Sequence, residues 1–226
     1  MELYDAMRTT PATRAFTDEA VPDAVLYRML DHARFAPSGG NRQGWRVIVV
    51  KDPATRRALR DLYALGWREY MAHVRRRLVA FAPIDDGRWS GPAIDLAQAR
   101  TEPAPNDFGD HLDTVPVMLV ICAELRVLAV TDNGLDRQSI VGGGSIYPFA
   151  HNLLLAARNE GLGGVLTTVL CREEPAAKAL LGIPTGYAIA GLLAIGHPAQ
   201  EIRRLRRGPV GGFAWVDRFA GEPFTA

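Results

Sequence analysis

A chain of 226 residues with 48% hydrophobic content can bury a sizeable core, as one domain or two small ones. Its formal net charge of +1 gives no global reason to bind nucleic acid or a membrane surface, and no apolar run approaches the ~18 residues of a bilayer span. Two cysteines, Cys122 and Cys171, exclude a disulfide framework and fit a reducing cytoplasm.

The N-terminus has no basic region followed by an apolar stretch, so no secretory leader is expected, and residues 2–8 read as a short helix. Pro22 suits the first position of a second helix, in which Val25, Leu26, Met29, Leu30 and Ala33 recur at helical spacing through Phe35. "APSGGNRQGW", 36–45, is a small-residue loop leading into a strand at Trp45–Lys51. Asp52 and Pro53 then cap a long helix, predicted to reach about Val79 with a break near Gly66.

Between 83 and 113 the periodicity fails in favour of proline, glycine and acids, which reads as a lid over a site or as an incidental insertion. Trp67, Tyr70, Trp89 and Phe108 are candidate lid or pocket aromatics, with ordinary packing as the alternative. "VPVMLVICA", 115–123, is a continuous apolar strand of the kind covered on both faces. A glycine-rich turn precedes a helix at 146–160 that ends at Gly161. A strand at Val165–Leu170, a helix at Glu173–Leu181 and a strand at Ala188–Gly196 follow, then an irregular tail from Pro198. The mixture, without regular βαβ spacing or repeats, predicts one α+β domain over 1–226 with a mostly antiparallel sheet flanked by helices.

No dinucleotide fingerprint follows a strand, no phosphate-binding loop of the nucleotidase type occurs, and no nucleophile elbow is present. The five histidines are scattered without metal-ligand spacing, so neither a metal site nor a side-chain catalytic set is predicted. If the chain is an enzyme, a cofactor carries the chemistry. All but Lys51 and Lys178 of the 26 basic residues are arginine, the usage of a GC-rich bacterial genome. Arginine is also the better bidentate phosphate ligand. "RRR" at 75–77 reads as a solvated helix face, whereas "RRLRR" at 203–207 lies in the tail and is harder to dismiss.

The loop Ala36, Pro37, Ser38, Asn41, Gln43, Trp45 resembles the A-P-S-x-x-N-x-Q-P-W loop of the nitroreductase family, with Gly44 in place of proline. Three further segments follow that family's order. "TPATRAF" matches R-x-S-x-[RK]-x-F at Arg14 and Phe16 but carries Thr10 and Ala12 where Arg and Ser are expected. "NLLLAARNEGLGGVLTTVL" is similar to its helix, turn and strand along the flavin, and "LLGIPTGYAIAGLLAIGHP" with "RRLRRGPV" to its ending. The resemblance implies bound FMN, NADPH or NADH as co-substrate, and ping-pong hydride transfer to a small nitroaromatic or quinone acceptor.

It places Arg14 near flavin N1 and O2, where a cation favours reduction, against a salt bridge with Asp18 or Glu19 as the alternative. It places the Thr168 and Val169 backbone at the N5–O4 edge, Arg207 with Arg206 as its neighbour at the phosphate, and Pro37, Ser38 and Gly39 against the ribityl phosphate. Asn41 serves either the flavin or the turn of its own loop. Trp45 is read as a packing anchor. With Arg and Ser missing at 10 and 12, Arg8, Arg42 or the tail arginines would compensate. The family further implies a homodimer, with Pro37–Asn41 crossing to the partner's site and the tail, with Phe213, Trp215 and Phe219, wrapping over it. A flavin-dependent dehalogenase or oxidase, and a non-catalytic flavin-binding protein, are the alternatives.

Overall fold

The computed structural model describes residues 1–82, 87–200 and 204–225. Pro83 to Asp86, which open the expected lid, and Arg203 of the "RRLRR" run lie outside the described residues. Four strands, β1 (Trp45–Val49), β2 (Val117–Glu124), β3 (Gly163–Thr167) and β4 (Tyr187–Gly196), form one sheet in the order β1-β2-β4-β3. Every pairing is antiparallel.

The central strand β2 explains the layering. All eight of its residues are buried, and successive side chains must point to opposite faces. Val117, Leu119, Ile121 and Ala123 enter one core, with α2 (Asp23–Ala33) and α6 (Tyr147–Asn159) packed over them. Met118, Val120 and Cys122 enter the second core, beneath α3 (Pro53–Arg75) and α7 (Glu174–Leu181). Both faces are thus covered, as the unbroken apolar run predicts, although the strand's partners are antiparallel. Trp45 anchors β1 by stacking on Phe149 of α6 with ring centroids 5.0 Å apart.

Several expected boundaries move. Pro22 is the N-cap of α2, not its first helical residue, and β1 ends at Val49. Asp52 caps α3 by accepting the Thr55 amide at 2.7 Å, with Pro53 at the first position as expected. Helix α3 runs through Gly66 without a break and stops at Arg75, short of Val79. Its end is a Schellman arrangement: the Arg77 and Leu78 amides return to the carbonyls of Val74 and His73, with Arg77 at φ 59° in the left-handed role usually given to glycine. No glycine advertises that stop.

The third strand begins two residues earlier than expected and ends at Thr167, and a 3₁₀ turn over Val169–Glu173 follows. Gly163 and Gly164 belong to the ladder because a Cβ at 163 would lie 2.6 Å from Thr13 Oγ1, and one at 164 would lie 3.0 Å from the Ala194 carbonyl. Residues 12–14 therefore lie directly along β3, with the Thr13 amide donating to the Gly164 carbonyl at 2.9 Å. Helix α1 (Leu3–Arg8) precedes that stretch. The described part of the 83–113 stretch contains α4 (Leu96–Ala99) and α5 (Asp107–Asp110), and Phe108 and Ala99 are buried. Among the described residues no helix is long and apolar enough to cross a membrane.

Candidate functional site

A cavity of about 920 Å³ opens between α3, the end of β3 and the described part of the 87–113 segment. Tyr63, Trp67 and Tyr70 stand at i, i+4 and i+7 on α3, so they share one face and form its wall. Their rings lie nearly parallel, with successive centroids 6.5 and 5.2 Å apart. Phe108 of α5 meets Tyr63 edge-on at 6.1 Å, and Trp89 adds a further aromatic surface. Leu166 to Val169 supply the opposite side. The charged residues of the lining are Arg14 and Arg172; no carboxylate lines it among the described residues.

The α3 wall is held against β3 by a close backbone approach and a buried ion cluster. A Cβ at Gly66 would fall 2.7 Å from the Val169 carbonyl oxygen and 3.1 Å from Arg172 Cβ, so only glycine lets the helix lie on this turn. One turn further, Glu69 is fully buried. Its Oε2 accepts from Arg172 Nε at 2.8 Å and its Oε1 from Arg100 Nε at 2.6 Å; Arg100 also pairs with Glu173. The Glu69 hydrogen bond holds the Arg100 guanidinium above the usual arginine value. Arg100 follows α4, so this cluster fastens the 87–113 segment to α3 and to the 3₁₀ turn after β3. His73, also buried, donates from Nδ1 to the Glu69 carbonyl at 2.8 Å.

Of the residues singled out in the sequence, Arg14, Thr168 and Val169 come together at this cavity. Arg14 reaches it because residues 12–14 lie along β3. It forms no salt bridge with Asp18 or Glu19; Glu19 instead approaches His197 Nε2 at 3.4 Å. Trp67, Tyr70, Trp89 and Phe108 all line the cavity as well, Phe108 also serving the core.

Pro37, Ser38, Gly39 and Asn41 are not part of the lining within one chain. There the Ser38 hydroxyl accepts the Gln43 amide at 2.9 Å, and the Gly39 amide donates to Ser145 Oγ at 3.0 Å. Asn41 serves the turn: it sits at φ 52°, and its Oδ1 accepts from Gln43 Nε2 at 3.2 Å. Gly40 at φ 59° and Gln43 at φ 51° make this a loop with three residues in the left-handed region, where only glycine is unstrained.

Arg206 and Arg207 are exposed and also lie outside the lining. The Leu205 amide donates to the Arg8 carbonyl at 2.8 Å, which docks this run on the end of α1. Among the described residues, Arg8, Arg14, Arg206 and Arg207 have no carboxylate partner. Thr10, where the family has arginine, spends its hydroxyl on the Ala6 carbonyl at 2.6 Å.

Tyr63, Asn106, Tyr147 and Arg172 were missed by the sequence reading. The 63/67/70 spacing could have found the first, whereas Arg172 is one arginine among many and carried no signal. Burial raises the pKa of the Tyr63 hydroxyl, so the phenol keeps its proton. Burial also pushes both thiols up to about 11, so neither Cys122 nor the cavity residue Cys171 is a nucleophile at neutral pH. No cluster of three metal-ligating side chains occurs among the described residues. The site offers cations, aromatic walls and backbone, which suits holding a planar anionic cofactor and a flat second ligand.

Comparison with known proteins agrees with that chemistry. The model of the nitroreductase family matches residues 7–197. The chain is 32% identical over 191 residues to an NADH dehydrogenase of Thermus thermophilus, covering 83% of this chain and 82% of that protein. It is 28% identical over 215 residues to human iodotyrosine deiodinase 1, covering 92% of this chain and 66% of that protein, so it spans about two thirds of the deiodinase's length. The crystal structure of an oxidised iodotyrosine deiodinase bound to FMN and 3-iodo-L-tyrosine superposes with a TM-score of 0.67 at 20% identity, over 96% of this chain and 100% of that one.

Proposed function

The chain belongs to the nitroreductase family, and from that premise we propose that it is an FMN-dependent oxidoreductase that uses NADPH or NADH to reduce a small aromatic acceptor, nitroaromatic or quinone in type. The observation that carries this reading is the meeting of Arg14, Thr168 and Val169 at one cavity with aromatic walls. When bound there, FMN supplies two-electron chemistry that no side chain of this site can provide. Arg14 would hold the bound flavin as a cation that favours its reduction, and the Thr168–Val169 backbone would offer it hydrogen-bonding groups.

The phosphate falls to the exposed arginines Arg8, Arg206 and Arg207, which the docking of Leu205 on Arg8 brings to the same end of the molecule. The loop Pro37–Asn41 lies outside its own chain's cavity, which supports a homodimer in which it completes the partner's site. The exposed Phe213, Phe219 and Phe224 of the tail supply apolar surface for that assembly. The remaining residues act by positioning and by excluding water, not by acid–base chemistry.

The absorption spectrum of the purified protein, followed by anaerobic NADPH titration, tests this. A flavin spectrum bleached by NADPH and restored by menadione supports it; a colourless protein that takes up no added FMN overturns it. A flavin that NADPH does not bleach favours a binding protein without turnover. The likeness to the deiodinase, together with the aromatic ladder on α3, favours a dehalogenase as the second reading. Iodide release from 3-iodo-L-tyrosine under dithionite would replace the first reading with that one.

A further inference from the structure

We propose that the cavity contains an anion-recognition subsite in which Arg172 binds the carboxylate of a flat aromatic acceptor and Glu69 acts as the positioning residue for Arg172. This rests on the flavin reading and deepens it, because it assigns the part of the cavity at Arg172 to the acceptor.

The two arginines on Glu69 provide an internal comparison. Arg100 uses Nε on Glu69 and Nη2 on Glu173, so it bridges two carboxylates. Arg172 uses Nε alone, on Glu69 Oε2 at 2.8 Å, and neither of its Nη atoms makes a hydrogen bond among the described residues. Its guanidinium carbon lies 4.4 Å from the centre of the Phe81 ring, and its side chain is 33% exposed. Buried Glu69 and Phe81 therefore fix the plane of the group while its donor edge is left to the cavity. A guanidinium that served only to neutralise Glu69 would not need its Nη edge kept open beside an aromatic cavity. Four N–H bonds in a fixed fork match a carboxylate in two-point contact.

The surroundings select the rest of the ligand. The Tyr63–Trp67–Tyr70 ladder presents parallel ring faces on which a flat ring can stack. No lining carboxylate repels an incoming anion among the described residues. Glu69 does not touch the ligand in this arrangement; it orients the group that does.

The test is a titration of the purified protein, without reductant, with 4-nitrobenzoate and its neutral isostere 4-nitrobenzamide, read by quenching of tryptophan emission, since Trp67 and Trp89 line the cavity. The carboxylate is expected to bind about tenfold or more tightly than the amide, the order of one charge-assisted pair. Arg172→Met removes that difference, and Arg172→Lys restores part of it. Glu69→Gln keeps the Arg172 charge but loosens its aim, and lowers the preference without removing it. Equal binding of the two ligands by the parent protein, or a preference that survives Arg172→Met, overturns the assignment. In the turnover assay, a KM in Arg172→Met that rises for NADPH but not for 4-nitrobenzoate would move the anion to the dinucleotide and overturn it equally. The quenching requires no flavin, so a colourless protein would sink the redox reading and leave this result standing on its own.

Discussion

The loop at 37–43 and the junction of α3 with Val169–Arg172 both set small residues beside polar ones, but the fold uses them in opposite ways. At the junction, packing consumes most of the groups: Gly66 serves close approach, Glu69 two guanidiniums and the Val169 side chain the core, while the Nη edge of Arg172 is left to the cavity. In the loop, the hydrogen bonds of residues 39–43 run to one another, to Ser38, to Arg46 and to Ser145, and three of these residues hold left-handed backbone. A segment that keeps strain and exposure while serving its own fold so little is shaped for something outside that fold. The family motif is legible in the loop for the same reason. Under the proposed function its residues answer to a ligand and a partner, and such demands leave a compact signature.

The contrast can be broken by experiment, beginning at the junction. Glu69→Ala leaves Arg100 and Arg172 without their shared carboxylate. The guanidiniums are about a third exposed, so the loss is roughly 2–4 kcal/mol, not the full buried-pair value, and the melting temperature falls by about 5–15 °C. A change at Glu69 as small as that at Ser38 would erase the distinction between the two regions.

Gly66→Ala sets two effects against each other. Helix propensity favours alanine by ~1 kcal/mol, whereas the contact 2.7 Å from the Val169 carbonyl must be relieved by moving helix or turn. Overpacking of this kind costs about 1–3 kcal/mol, so denaturant unfolding should show net destabilisation. A stabilised variant would mean that the junction is looser than described.

Asp132 supports the loop side, because it holds the turn that leads to Ser145, the acceptor of the Gly39 amide. The buried carboxylate accepts the Ile140 amide at 2.8 Å, with Arg137 and Ser139 Oγ also at 2.8 Å. The Ile140 bond first, then Arg137 and Ser139, hold its pKa far below the usual carboxylate range against the opposing effect of burial. A lowered folded value stabilises the fold above the unfolded value of about 3.9, and that contribution is withdrawn as pH falls below it toward the folded value. The protection factors of the Ile140 and Val141 amides, corrected for intrinsic exchange, should therefore be high at neutral pH and fall under acid, and in Asp132→Asn they should lose that acid step.

The smallest effects belong to the loop. Ser38→Ala removes the acceptor for the Gln43 amide and should lower stability by only ~0.5–1.5 kcal/mol, while, under the proposed function, weakening FMN uptake. Gln43→Gly relieves a left-handed residue at the expense of chain entropy, and should leave stability within about 1 kcal/mol. A large loss in either variant would show that the loop supports its own subunit.

Much of the architecture was readable in advance. The Asp52–Pro53 start, the buried strand read at 115–123 and the Gly161 stop each rest on short-range chemistry, and Trp45 is the packing anchor expected of it. The misses share a different origin. Gly66 looked like a helix breaker because its reason is a carbonyl from Val169, about a hundred positions away in the chain. Arg77 ends α3 in a conformation that its side chain does not favour. Arg172 was one arginine among many until Glu69 and Phe81 fixed its plane.

The linear order of residues determined the family and the α+β composition, because periodicity, caps and motif spacing are properties of neighbours along the chain. Only the folded arrangement decided which side chains share a cavity. It put Arg14 beside Thr168 through a strand-side contact, hid Glu69 between two arginines, and left Pro37–Asn41 outside. Such contacts join residues far apart in sequence, and their energies depend on burial and direction, neither of which exists until the chain has closed on itself.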